Sequence, residues 1–101
     1  MSALLIVSGK VAAPALMSEF VRLIGKVYAA HGGETLARGT AGNPYGVVTV
    51  VSRFPSVGAI EGMLASDEYQ NAGVPHRRVF NQGQWETTVL EENFRQLYPK
   101  G

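Results

Sequence analysis

The sequence predicts an α+β protein of the ferredoxin-like type, ordered βαββαβ around a four-stranded antiparallel sheet. Three observations lead there. Ala3–Val7 is an unbroken apolar run of strand length closed by Ser8-Gly9, the signature of a buried central strand. Leu16, Phe20, Leu23, Ile24, Val27 and Tyr28 then recur at helical spacing ahead of the pair Gly32-Gly33. Finally, Val47–Phe54 is β-branched and carries apolar residues on both of its alternating faces.

Each element has a local reason. Pro14 suits the first turn of the first helix, and one of the two glycines takes the left-handed conformation that ends it. The chain is then released into a strand over 34–39. Ala41-Gly-Asn-Pro-Tyr-Gly46 is rich in turn formers and reads as a hairpin loop into Val47–Phe54. Ser56 is a natural cap for a second helix whose inner face is Ile60, Met63 and Leu64. Ser66 caps a short turn through Asp67, Glu68 and Tyr69, where acidic residues favour the helix dipole. A further short helix is expected after Pro75, a last strand over 84–90, and a helical tail over 91–101. No repeat or linker divides the chain, so residues 1–101 form one domain.

Helices on one side of four strands leave the other sheet face needing cover. Val47, Thr49 and Val51 on one face, with Val48 and Val50 on the other, predict burial of both, and a second copy is the simplest cover. Composition agrees. Apolar residues make up 46% of 101, enough for a real core. Charged residues reach only 17%, below the usual quarter or so, as in a domain that hides surface in a homodimer. A net charge of +1 with scattered lysines and arginines argues against nucleic acid. The absence of cysteine excludes disulfides and thiolate chemistry. The first residues have neither the basic start of a signal peptide nor an apolar run long enough for a membrane span, so a cytoplasmic location is expected.

Tyr28-Ala-Ala-His-Gly-Gly-Glu-Thr-Leu-Ala-Arg-Gly39, then Arg53-Phe-Pro-Ser56, then Ser66-Asp-Glu-Tyr-Gln70, occur in an order and spacing that resembles the domain-of-unknown-function 1330 family. The likeness runs from about Leu4 to Leu90. It implies the same ferredoxin-like unit, dimerised into an α/β barrel. It implies no particular reaction, because the family has no common one.

Arg38 is the first candidate for chemistry. On a strand of small and apolar residues its guanidinium must be paired or solvated, since burying it alone is costly. It either holds a carboxylate or enolate oxygen or pairs across the sheet with an acid such as Glu86, and it matches the family's arginine-glycine motif. His31 is a possible general base, but a cation in the last turn of a helix also suits the dipole. His76 is the second possible base, beside Arg77 and Arg78, whose charges discourage its protonation. The resemblance places an arginine here, yet Tyr69 to Arg77 is one residue longer than the family pattern, leaving either His76 or Arg77 at that place.

Tyr69 falls on a family tyrosine and can pack its ring while its hydroxyl finds a polar partner. Met63 stands where many family members carry a large aromatic, and it reshapes a pocket or fills a gap. Trp85 and Glu86 face opposite sides of the last strand. The histidines have no companion carboxylate at ligand spacing, so no metal is expected. A strand rather than a helix follows the glycines, which removes a phosphate loop and any cofactor it would bind.

Two functional readings follow. One is a small cofactor-free enzyme of isomerase, cyclase or oxygenase type, acting on an apolar, oxygen-bearing molecule. Proton transfer would use His76 or His31, Arg38 would steady the oxyanion, and Arg77, Tyr69, Met63, Trp85 and Phe20 would contact substrate. The alternative is a non-catalytic small-molecule-binding or accessory dimer. In both, the ligand carries an anionic oxygen.

Overall fold

The computed structural model describes residues 1–10, 14–41, 47–72 and 85–97. The elements are β1 (Ala3–Lys10), α1 (Pro14–Ala30), β2 (Glu34–Ala41), β3 (Val47–Phe54), α2 (Val57–Ala65), α3 (Asp67–Ala72), β4 (Trp85–Glu91) and α4 (Phe94–Leu97). The four strands form one antiparallel sheet in the order β2-β3-β1-β4. This is the ferredoxin-like arrangement, with β1 central as its apolar run requires.

Strand alternation sorts the sheet into two faces. Ala3 and Leu5 of β1 and Phe54 of β3 point to the helices and are buried with Val27 and Tyr28 of α1 and Ile60 and Met63 of α2. Fully burying Leu5, Phe54, Ile60 or Met63 contributes about 1.5–3 kcal/mol each. The Tyr28 ring meets Phe54 edge-on, centroids 5.3 Å apart. The alternate set, with Leu4, Ile6 and Val51 half-buried and Leu90 at 47% exposure, lies on the open face, which no described helix covers.

The helix ends follow the expected chemistry. Gly32 has φ +80°, and the N–H groups of Gly32 and Gly33 return to the carbonyls of Ala29 and Tyr28 at 3.1 and 2.7 Å. These two bonds and the left-handed glycine are the Schellman ending of a helix. Ser56 accepts from the Ala59 N–H at 3.0 Å, and Ser66 from the Tyr69 N–H at 3.1 Å. Ser66 also donates to the Met63 carbonyl at 2.7 Å, so one hydroxyl joins the end of α2 to the start of α3.

Strand bounds and the tail need correction. β1 continues past its apolar run to Lys10, because Ser8, Gly9 and Lys10 still pair with Thr49, Val48 and Val47. β2 runs to Ala41 rather than residue 39, and β4 starts and ends one residue later than expected. The tail is not helical from Glu91. That residue closes β4, the Glu92 N–H bonds the Ser2 carbonyl at 2.9 Å, and the helix starts only at Phe94. The hairpin loop before Val47, the helix after Pro75, and the residues His76 and Arg77 lie outside the described residues.

Candidate functional site

β2 is an edge strand built almost entirely of small residues around Arg38. Its register is broken between Thr35 and Ala37, so Leu36 is the extra residue of a bulge. Pairing then resumes with Ala37 opposite Val51, Arg38 opposite Val50 and Gly39 opposite Thr49. Ala37 and Gly39 therefore share the open face with Thr49 and Val51. Little side-chain bulk stands there, and a Cβ added at Gly39 would meet nothing within 4 Å. The result is an open hollow of about 350 Å³, floored by Ala37, Gly39, Thr49 and Val51 and bordered at the strand edge by Arg38 and Thr40, whose register positions alternate with the floor and belong to the opposite face of the sheet. That is the lower end of the range of roughly 300–1,000 Å³ typical of small-molecule sites.

Arg38 is exposed and makes no ion pair among the described residues. The anticipated partner Glu86 is not available to it within one chain. β2 and β4 are opposite edges of the sheet, three strand spacings or roughly 14 Å apart. The register also puts Glu86 in the row of Ser8 and Thr49, the face opposite to that of Arg38, Val50, Val7 and Thr87. Trp85 falls in the row of Gly9, Val48 and Thr40, so at backbone level it shares the sheet face of Arg38 and not that of Glu86.

The other sequence candidates are dispersed. His31 follows α1, with Nε2 3.6 Å from Glu68 Oε2 of α3; Nε2 is buried and makes no hydrogen bond. His31 precedes β2, and the four residue steps from Glu34 to Arg38 alone span about 13 Å, so the two do not form one site. Met63 is fully buried in the core. Tyr69 is half-buried against that core, and burial raises its hydroxyl above the usual value. Burial, then the neighbouring Tyr69, raises Tyr28 further still. Both phenols stay protonated at neutral pH and cannot serve as bases there. Phe20 lies on α1.

Sequence reasoning passed over Thr49 and Ser8. Their hydroxyl oxygens are 2.9 Å apart across β3 and β1, on the open face beside the hollow. The available signal was two hydroxyl residues at matching depth in two apolar strands, which becomes a pair only when the register is known. Among the described residues no cluster of three or more histidines or acids could hold a metal ion. No described helix is long and apolar enough to cross a membrane.

Comparison with known proteins places this geometry in context. The family model described as a domain of unknown function, DUF1330, matches residues 2–91. No curated protein sequence matches the chain. Among solved structures, SnoaB from Streptomyces nogalater, a cofactor-independent oxygenase, superposes with TM-score 0.68 at 12% identity, covering 89% of this chain and 91% of that one. Rv0793 from Mycobacterium tuberculosis gives 0.60 at 18% identity, covering 88% and 93%. The de novo designed protein Foldit4 gives 0.64 at 12% identity, covering 91% and 99%. A designed protein fits about as well as an oxygenase, so these likenesses speak to the fold alone.

Proposed function

The chain belongs to the DUF1330 family, and we propose that it takes a small, oxygen-bearing apolar molecule at the hollow beside Arg38. One observation carries this reading: an exposed arginine, without an ion pair among the described residues, at the rim of a hollow floored by Ala37, Gly39, Thr49 and Val51. A guanidinium presents a fork of donors matched to a carboxylate, enolate or phenolate oxygen. Val51 and Ala37 supply an apolar surface for the rest of the molecule.

In its catalytic form the proposal is a cofactor-free isomerase, cyclase or oxygenase, the last being the activity of the SnoaB neighbour. Arg38 would stabilise developing oxyanion charge, and His76, with Arg77 beside it, would supply the base. The non-catalytic reading also has a specific observation behind it: among the described residues, no histidine or carboxylate lines the hollow. We further propose a homodimer. A second copy over the open face would cover Leu4, Ile6, Val51 and Leu90, whose exposure to water is unfavourable, and would close the hollow.

The test is Arg38→Ala beside Arg38→Lys, titrated against a panel of small carboxylates and phenols. Arg38→Ala should weaken the best binder at least about tenfold, the scale of a lost charge-assisted bond. Its stability should stay within about 0.5 kcal/mol, as for other exposed substitutions. Arg38→Lys should lie between the two, keeping charge but losing the fork. Full binding by Arg38→Ala would reject the site. Proton exchange at an acidic C–H of a bound ligand, lost in His76→Ala, separates the enzyme from the binder.

A further inference from the structure

We propose that Thr49, positioned by Ser8, is a specificity-determining contact that recognises a second, uncharged oxygen on the ligand. The inference rests on the binding reading above and narrows it to a substrate class. The register draws one row across the open face, Gly39, Thr49, Ser8 and Glu86. The row on one side of it, Ala37, Val51, Ile6 and Thr88, is apolar over its first three strands. Thr49 and Ser8 are thus a polar stripe beginning on the floor of the hollow.

Their hydroxyls are 2.9 Å apart, both residues are half-buried, and either oxygen can be the donor. Two hydroxyls carry two protons, and their mutual bond uses one. The second O–H still needs an acceptor. The strands bearing it are the two central ones, with ladders on both sides, so the backbone around it is already engaged. Donation toward the open face, where Thr49 lines the hollow, is the arrangement that satisfies it with a ligand carbonyl or hydroxyl. Ser8 does not line the hollow and acts only through Thr49, as a positioning residue. Glu86, exposed at the far end of the row, disfavours a second anion. The ligand class is therefore a small acid or phenol that carries one further hydroxyl or carbonyl on its opposite side.

Such hydroxyl pairs also contribute to sheet stability, and that role alone predicts no ligand selectivity. The experiment is calorimetric titration of benzoate and the hydroxybenzoates into the wild-type chain and into Thr49→Val, Thr49→Ser, Ser8→Ala, Ser8→Thr and Arg38→Ala, each checked by thermal unfolding. The wild type should prefer at least one hydroxybenzoate over benzoate by about tenfold, one hydrogen bond's worth. Thr49→Val, which keeps the β-branched shape, should abolish the preference and leave benzoate unchanged. Thr49→Ser should retain the preference; Ser8→Ala should reduce it and Ser8→Thr restore it. Arg38→Ala should weaken all probes alike. A preference that survives in Thr49→Val while Arg38→Ala weakens every probe overturns this inference and leaves the binding reading standing. Loss of the preference in Thr49→Ser as well overturns it in the same way. If Arg38→Ala changes nothing, or no probe binds the wild type at millimolar concentration, the binding reading falls and takes this inference with it.

Discussion

Two adjacent glycines do different work. Gly32 is needed for its positive φ, which L side chains rarely adopt. Gly33 is needed for space: a Cβ there would lie 2.5 Å from the Phe54 ring and 2.9 Å from the Tyr28 carbonyl. Both obstacles belong to the packed centre of the molecule and cannot easily yield. Gly33→Ala should therefore cost about 1–3 kcal/mol, the range for overpacking. Gly25 is the control, exposed within α1 with nothing within 4 Å of a Cβ. Gly25→Ala should stabilise by about 0.8–1 kcal/mol through helix propensity alone. Urea unfolding of both variants checks the pair, and equal effects would mean the glycine turn is not packed as described.

Three elements meet at one end of the sheet. Arg53 near the end of β3 bonds Glu92 just past β4 through Nε and Nη2, at 2.7 and 3.1 Å, and Ser2 ahead of β1 donates to the same carboxylate at 2.9 Å. The hydrogen bond from Arg53, then that from Ser2, holds the Glu92 carboxyl below the usual carboxylate range. The hydrogen bond and charge of Glu92 raise Arg53 in turn. A depressed carboxyl binds its proton less readily in the folded chain than in the unfolded one. Its stabilisation is therefore complete above the ordinary carboxylate range and is lost as pH falls through the folded value. Comparing urea midpoints at neutral and acid pH, the wild type should lose more than Arg53→Met. Both residues are partly exposed, so the difference should shrink in high salt. Identical acid losses would show that the clasp contributes nothing.

At the scale of the molecule, the open face predicts association. Sedimentation at micromolar concentration should give a dimer, and Ile6→Glu, which puts a charge on that face, should give a folded monomer. A wild-type monomer would refute the dimer. The tail belongs to the same question, because Phe94 and Leu97 are 61% and 62% exposed and bury little against their own chain. Truncation after Asn93 should lower Tm by roughly 4–8 °C for each kcal/mol that the tail's packing on the partner contributes, and the drop should depend on protein concentration. In the Ile6→Glu monomer the same truncation should have almost no effect.

The elements and their order were legible along the chain, because hydrophobic period, caps and glycines act over a few residues. Pro14, Ser56, Ser66 and Gly32 stand at the helix ends they were expected to mark, and the apolar runs became strands within three residues of the predicted bounds. Which residues meet followed from how the strands pair in three dimensions. Whether Arg38 could reach Glu86 turned on strand order, a long-range choice that no local pattern encodes. Whether Ala37 and Gly39 would sit beside Thr49 turned on a one-residue bulge at Leu36, which shifts every later residue of β2 to the other face. The pairing of Ser8 with Thr49 bridges 41 positions and follows from register alone. A one-dimensional pattern carries periodicity, whereas a site is a set of distances, and those are set by how the strands pair.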